Sequence, residues 1–178
     1  MANNGLIRVL LVDDNTILIY TIRTILEQYP NIEVVGQAIN GEEAVVLAEQ
    51  LQPHVVVMDI NMPKMNGIAA TRLIRANFPR IVVLGLTTNT ERCFVNAMSE
   101  AGAVNTLGKE KAVTELHGAI QCAVASVYPV LIRESPSVPA RSPAKFAQLA
   151  DSSDVHANET PSGEGIQLSN NNQLNSNY

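Results

Sequence analysis

Four places in the 178-residue chain carry side chains able to do chemistry, and each stands where an apolar run stops. Asp13 and Asp14 follow Leu6–Val12, and Asp59 closes His54–Asp59. Thr87 and Thr88 follow Ile81–Leu86, and Lys109 follows Ala103–Leu107. Taken singly these residues mean little. An Asp-Asp pair often caps a helix, a lone lysine is usually solvated, and a threonine can serve a turn. Taken together at one end of a sheet they make a pocket of three carboxylates, a hydroxyl and an ammonium. Carboxylates within several ångströms repel, and one would be driven to take a proton unless a cation intervenes. A partly hydrated Mg²⁺ needs only one or two carboxylates plus carbonyls and water. Lys109 and the Thr87 hydroxyl could then each meet an oxygen of a phosphoryl group. Positioning and charge neutralisation are most of what phosphoryl transfer requires.

The elements that must position these groups alternate regularly. Leu6–Val12, Ile32–Ala38, His54–Asp59, Ile81–Leu86 and Ala103–Leu107 read as strands, the first and third as buried apolar runs. Between them lie helical patterns. Leu18, Ile22, Ile25 and Tyr29 share one face, and Ala44, Leu47 and Leu51 another, with Asn40 as cap and Glu43 as its reciprocal partner. Ile68–Asn77 is stopped by Pro79, and Glu91–Ala101 is closed by Gly102. The last helix spans about 111–127 with Val113, Leu116, Ile120, Val124 and Val127 on one side. Five β-α units imply a parallel sheet covered on both faces, and five are too few for an eight-stranded barrel. The fold class is therefore α/β, a doubly wound five-stranded parallel sheet. In the flavodoxin-like order 2-1-3-4-5, strand one neighbours strand three, so the four strand ends converge.

Composition sets further bounds. Hydrophobic residues are 46% of the chain and charged residues 16%, enough to build a core. A net charge of −5 argues against nucleic-acid binding through a broad basic face. Cys93 and Cys122 make neither a disulfide framework nor a zinc spacing, which fits a reducing, cytoplasmic setting. No run approaches the ~20 apolar residues of a membrane span. The composition divides the chain into a domain at 5–130 and a Ser/Pro/Asn-rich segment at 131–178, expected to be disordered save for a helical turn near Lys145–Ala150.

At this point the residues resemble the receiver domain of two-component response regulators. The resemblance covers roughly residues 5–127. It rests on the run from Val9 to Asp14, on the stretch from Val57 through Asp59, Asn61, Met62, Pro63 and Met65 to Gly67, on Leu86-Thr87, and on Ala101-Gly102-Ala103 leading to Lys109. Val35–Ala38, Asn40–Ala44 and Lys109-Glu110 look most like the NarL/FixJ branch. The resemblance implies that Asp59 is the phosphoacceptor, taking its group from a histidine kinase or a phosphotransfer protein. Asp14, Asp59 and the Asn61 carbonyl would coordinate Mg²⁺, with Asp13 acting through water. Thr87 and Lys109 would bind the phosphoryl group, and Pro63 and Gly67 would shape the loop. Asn61 and Asn89 would tune the lifetime of the phosphoryl group.

Two departures stand out. Thr106 occupies the place where the family usually has the aromatic that couples to Thr87, and Thr88 replaces the small or Met-like residue common just after that threonine, narrowing the opening. Second, nothing after Ile132 reads as the helix-turn-helix that NarL/FixJ regulators carry. The leading expectation is thus a phosphoacceptor acting by protein–protein contact, with no direct DNA binding and no enzymatic turnover beyond its own phosphorylation and dephosphorylation. The alternative is the receiver part of a DNA-binding transcription regulator whose output is lost or supplied by a partner. A homodimer through the last helix is left open. Enzyme readings are poorly served. A haloacid-dehalogenase-type phosphatase would want an aspartate where Asn61 stands, and a nucleotide site would want glycines where Asp13–Thr16 stand.

Overall fold

The structure, a computed structural model, describes residues 5–89, 91–129 and Leu131. The chain divides into two units, Met1–Ser137 and Val138–Tyr178. The expectations for the segment after residue 131, including the helical turn, lie outside the described residues.

Strands β1 (Ile7–Val12), β2 (Ile32–Ala38), β3 (Val55–Asp59), β4 (Val82–Thr87) and β5 (Asn105–Gly108) form one parallel sheet in the order β2-β1-β3-β4-β5. Helices α1 (Thr16–Leu26), α2 (Gly41–Leu51), α3 (Gly67–Asn77), α4 (Arg92–Glu100) and α5 (Lys109–Ala125) connect them. This is the expected doubly wound fold. Side chains alternate across each central strand, because successive Cβ atoms point to opposite faces. Ile7, Val9 and Leu11 of β1, Val55 and Val57 of β3, and Leu84 and Leu86 of β4 pack with α1 and α5. Leu10, Val12, Val56, Met58 and Val83 pack with α2, α3 and α4.

Three helices start on asparagine caps, whose side-chain oxygens take up otherwise orphaned N–H groups. Asn15 accepts from Ile17 and Leu18, Asn40 from Glu43, and Asn66 from Ala69. Glu43 does reach back as expected, but to the N–H of Ile39 rather than that of the cap. Two helix faces differ from the sequence expectation. On α1 the buried residues are Ile19, Ile22 and Leu26, while Leu18, Ile25 and Tyr29 are half-buried. On α5 they are Ala112, Leu116, Ile120, Ala123 and Val124, while Val113 and Val127 are exposed.

Candidate functional site

The carboxyl ends of β1, β3 and β4 bring the expected residues to one end of the sheet. Asp59 is the last residue of β3, the central strand, and Thr87 is the last of β4. Asp13 directly follows β1, and Lys109 is the first residue of α5. Asp13 and Asp59 are each 2% exposed, whereas Asp14 faces solvent. One carboxylate oxygen from each of Asp13, Asp14 and Asp59 lies within 4.8 Å of the other two.

Lys109 sits among them, its Nζ 2.7 Å from Asp13 Oδ2 and 3.1 Å from Asp59 Oδ2. Asp13 Oδ1 accepts the N–H of Asn15 at 2.9 Å, so this carboxylate also fixes the turn into α1. Asp13 Oδ2 is buried and, despite its ion pair, has no aligned hydrogen-bond donor. Burial and the charge of Asp13 push the Asp59 carboxyl above its ordinary value, against the opposing pull of Lys109 and the N–H of Asn61. Burial acts to lower the Lys109 ammonium, but contacts with Asp13 and Asp59 outweigh it and hold the group above its ordinary value.

Three carboxylates against one ammonium leave two negative charges uncompensated. That excess and the all-oxygen donor set together fit a hard divalent cation.

The loop after β3 is shaped by contact as much as by sequence. A Cβ on Gly67 would lie 1.9 Å from the Asp59 carbonyl oxygen, so only glycine lets α3 begin this close to the strand end. The Gly67 N–H donates to the Ile60 carbonyl at 2.9 Å, closing the loop, and Lys64 holds a φ of 65° within it. Pro63 and Asn61 are exposed on its outer side.

Thr87 is fully buried, but its hydroxyl is turned to the backbone of Asn89. It donates to the carbonyl at 2.8 Å and accepts the N–H at 3.0 Å. Thr88 is exposed. Thr106 lies on β5 beside Gly85 of β4 and is half-buried. A Cβ on Gly85 would lie 2.8 Å from Thr106 Oγ1 and 3.0 Å from Met98 Cε. Met98, fully buried on α4, thus fills space beside the threonine. Sequence reasoning missed it, because an isolated buried methionine carries no signal of its neighbours. The cysteines and His54 do not join the pocket. Cys93 and Cys122 are exposed, and His54 lies at the opposite end of the sheet, before β3.

Residues 9–121 match the response regulator receiver domain family. The chain is 43% identical over 128 residues to protein-glutamate methylesterase/protein-glutamine glutaminase 2 of Methanospirillum hungatei, covering 65% of this chain and 36% of that protein. It is 37% identical over 109 residues to the transcriptional regulatory protein DegU of Brevibacillus brevis, covering 61% of this chain and 46% of that one. Among solved structures it is similar to the response regulator domain of Thermotoga maritima CheB, with a TM-score of 0.63 and 32% identity, covering 67% of this chain and 96% of that domain. The chain thus spans between a third and a half of the length of these curated relatives.

The expectation that the chain is no enzyme does not stand against these findings. The relative from Methanospirillum is by name an enzyme, although only its receiver part is matched. Kinship with receivers therefore excludes no enzymatic activity. Among the described residues no helix is long and apolar enough to cross a membrane. The fold, the strand-end pocket and the match over residues 9–121 converge: the chain belongs to the receiver-domain family of two-component response regulators.

Proposed function

We propose that the chain accepts a phosphoryl group on Asp59 from the phosphohistidine of a histidine kinase or phosphotransfer protein, and signals by protein–protein contact. The observation that carries this reading is the placement of Asp59 at the end of the central strand, beside Asp13 and Asp14 and in contact with the ammonium of Lys109, which bridges it to Asp13. An Asp59 carboxylate oxygen would attack phosphorus, the P–N bond would break, and the imidazole would leave with the bonding pair. Lys109 would exchange part of its contact with Asp59 for a phosphoryl oxygen. Thr87 would offer its hydroxyl after giving up the Asn89 carbonyl. The N–H of Asn61 would keep the carboxylate oriented.

Receiver domains bind Mg²⁺ at an acidic pocket of this kind. Asp14, Asp59 and the Asn61 carbonyl would hold the ion here, with Asp13 behind a water. When bound it neutralises charge on the carboxylates and on the incoming phosphoryl oxygens. Pro63 and Gly67 hold the loop that carries Asn61.

Thr106 is the residue through which the family's usual aromatic coupling would be altered. Its hydroxyl and the buried Met98 occupy the β4–β5–α4 junction in place of a ring. The similarity to DegU favours a second reading, in which this receiver controls transcription through a DNA-binding partner or segment.

The test is incubation of the full chain with Mg²⁺ and acetyl phosphate, followed by intact-mass and peptide analysis. The expected result is one phosphoryl group on Asp59, lost in Asp59→Ala. No mass increase, or one that survives the substitution, rejects the proposal.

A further inference from the structure

The amino end of the sheet, opposite the aspartates, carries a cleft of about 520 Å³. That volume falls in the ~300–1,000 Å³ range of small-molecule sites. Its walls come from the connections before β3 and before β4 and from the stretch after α5. Pro53, Phe78 and Tyr128 supply apolar surface, and His54, Asn77 and Arg80 supply polar groups.

Arg80 is the charged side chain of the cleft lining. No acidic side chain lines the cleft. Arg80 lies with its guanidinium carbon 5.2 Å from the centre of the Tyr128 ring and makes no ion pair among the described residues. His54 is buried, and its Nδ1 accepts the N–H of Arg8 at 3.0 Å. With that lone pair engaged, the neutral ring carries its proton on Nε2, for which the described residues supply no acceptor. Burial and the charges of Arg8 and Arg80 hold the imidazole below its ordinary value, which favours the neutral ring. In a chain of net charge −5, this end of the sheet is a local positive region.

We propose that this cleft binds a small organic anion with a flat apolar body, an aromatic carboxylate. The carboxylate would sit against Arg80, with His54 Nε2–H and the Asn77 amide as further donors, and the ring against Phe78 and Tyr128. A planar guanidinium matches a carboxylate in geometry as well as charge. The Tyr128 hydroxyl donates to the Arg80 carbonyl at 3.0 Å. An occupant would therefore touch both the β4 entry and the segment by which the chain leaves α5. The cleft shares no residue with the acidic pocket, so the proposal does not rest on the role given to Asp59.

The test is an NMR titration of the full chain with 2-naphthoate and with its neutral analogue 2-naphthamide. Saturable shifts are expected at His54, Arg80 and Tyr128, with naphthoate binding about tenfold more tightly, the discrimination of one charge-assisted contact. Arg80→Gln, an exposed position outside the core, should abolish that preference while leaving the remaining spectrum in place. No saturable shift, equal affinity for the two probes, or shifts centred on Asp59 and Lys109 would overturn the proposal.

Discussion

Lys109 is the residue on which the resting pocket depends. Among the described residues its ammonium is the one positive group contacting Asp13 and Asp59, and both carboxylates are buried. Removing it leaves two like charges facing each other with little water to separate them. Lys109→Ala should therefore lower stability by about 2–3 kcal/mol, near the lower end for breaking a buried pair because the lysine is partly solvated. Mg²⁺ should recover much of the loss, since a ligand at 100 times its Kd adds about 2.7 kcal/mol. Urea unfolding with and without Mg²⁺ measures both effects. Asp13→Ala, which removes a carboxylate of the cluster, should gain less from Mg²⁺ than Lys109→Ala, and equal gains would mean that the cation does not act through these carboxylates. The residues of this pocket were legible in the sequence because each charged or hydroxyl group interrupts an apolar run. Their resting partners were not. Nothing in the sequence says that the Lys109 ammonium rests on Asp13 more closely than on Asp59, or that Thr87 is engaged with Asn89.

At the scale of elements, strands were easier to read than helix faces, and the reason is physical. A strand buried on both sides is apolar throughout, so β1, β3 and β4 announce themselves. A helix beside them buries only a stripe, and α1 is apolar nearly all round from Ile17 to Tyr20. Four consecutive apolar residues fit several stripes equally well, and packing against the sheet selects Ile19 over Leu18. On α5 the large Val113 drew attention, while the buried neighbour is the small Ala112. The energetic contrast follows directly. Ile120→Ala, at a fully buried position, should cost about 2–5 kcal/mol. Val113→Ala, half exposed, should stay within about 0.5 kcal/mol. Chemical denaturation of the two variants decides the matter, and comparable losses would mean that the α5 face is assigned wrongly.

For the whole molecule, the topology was legible from the succession of five β-α units, whereas the chemistry of the far end was not. A histidine before a strand gives no hint that its ring accepts a backbone N–H from the neighbouring strand. That histidine carries a pH dependence of definite sign. His54 and His117 both have folded-state values below 6.5, His54 through burial and two arginines, His117 through burial. Well above pH 6.5 both are neutral in the folded and unfolded chain, so neither penalises folding. As pH falls below 6.5 the unfolded chain takes up protons that the folded one resists, and stability drops. The urea midpoint should therefore fall between pH 7.5 and 5.5. His54→Gln and His117→Gln should each flatten the profile, and an unchanged slope in the double variant would remove histidine as the cause. One further property of the molecule lies in how the pocket is assembled. Asp13, Asp59 and Lys109 come from the first, third and last of the β-α units, and they meet only when β1 and β3 are paired and α5 is docked. A chain emerging from the ribosome has no complete acidic pocket until residue 109 and the helix it begins have cleared the exit tunnel. The ammonium that offsets Asp13 and Asp59 is thus the last part of the pocket to be made, and until α5 docks the two carboxylates face each other without it.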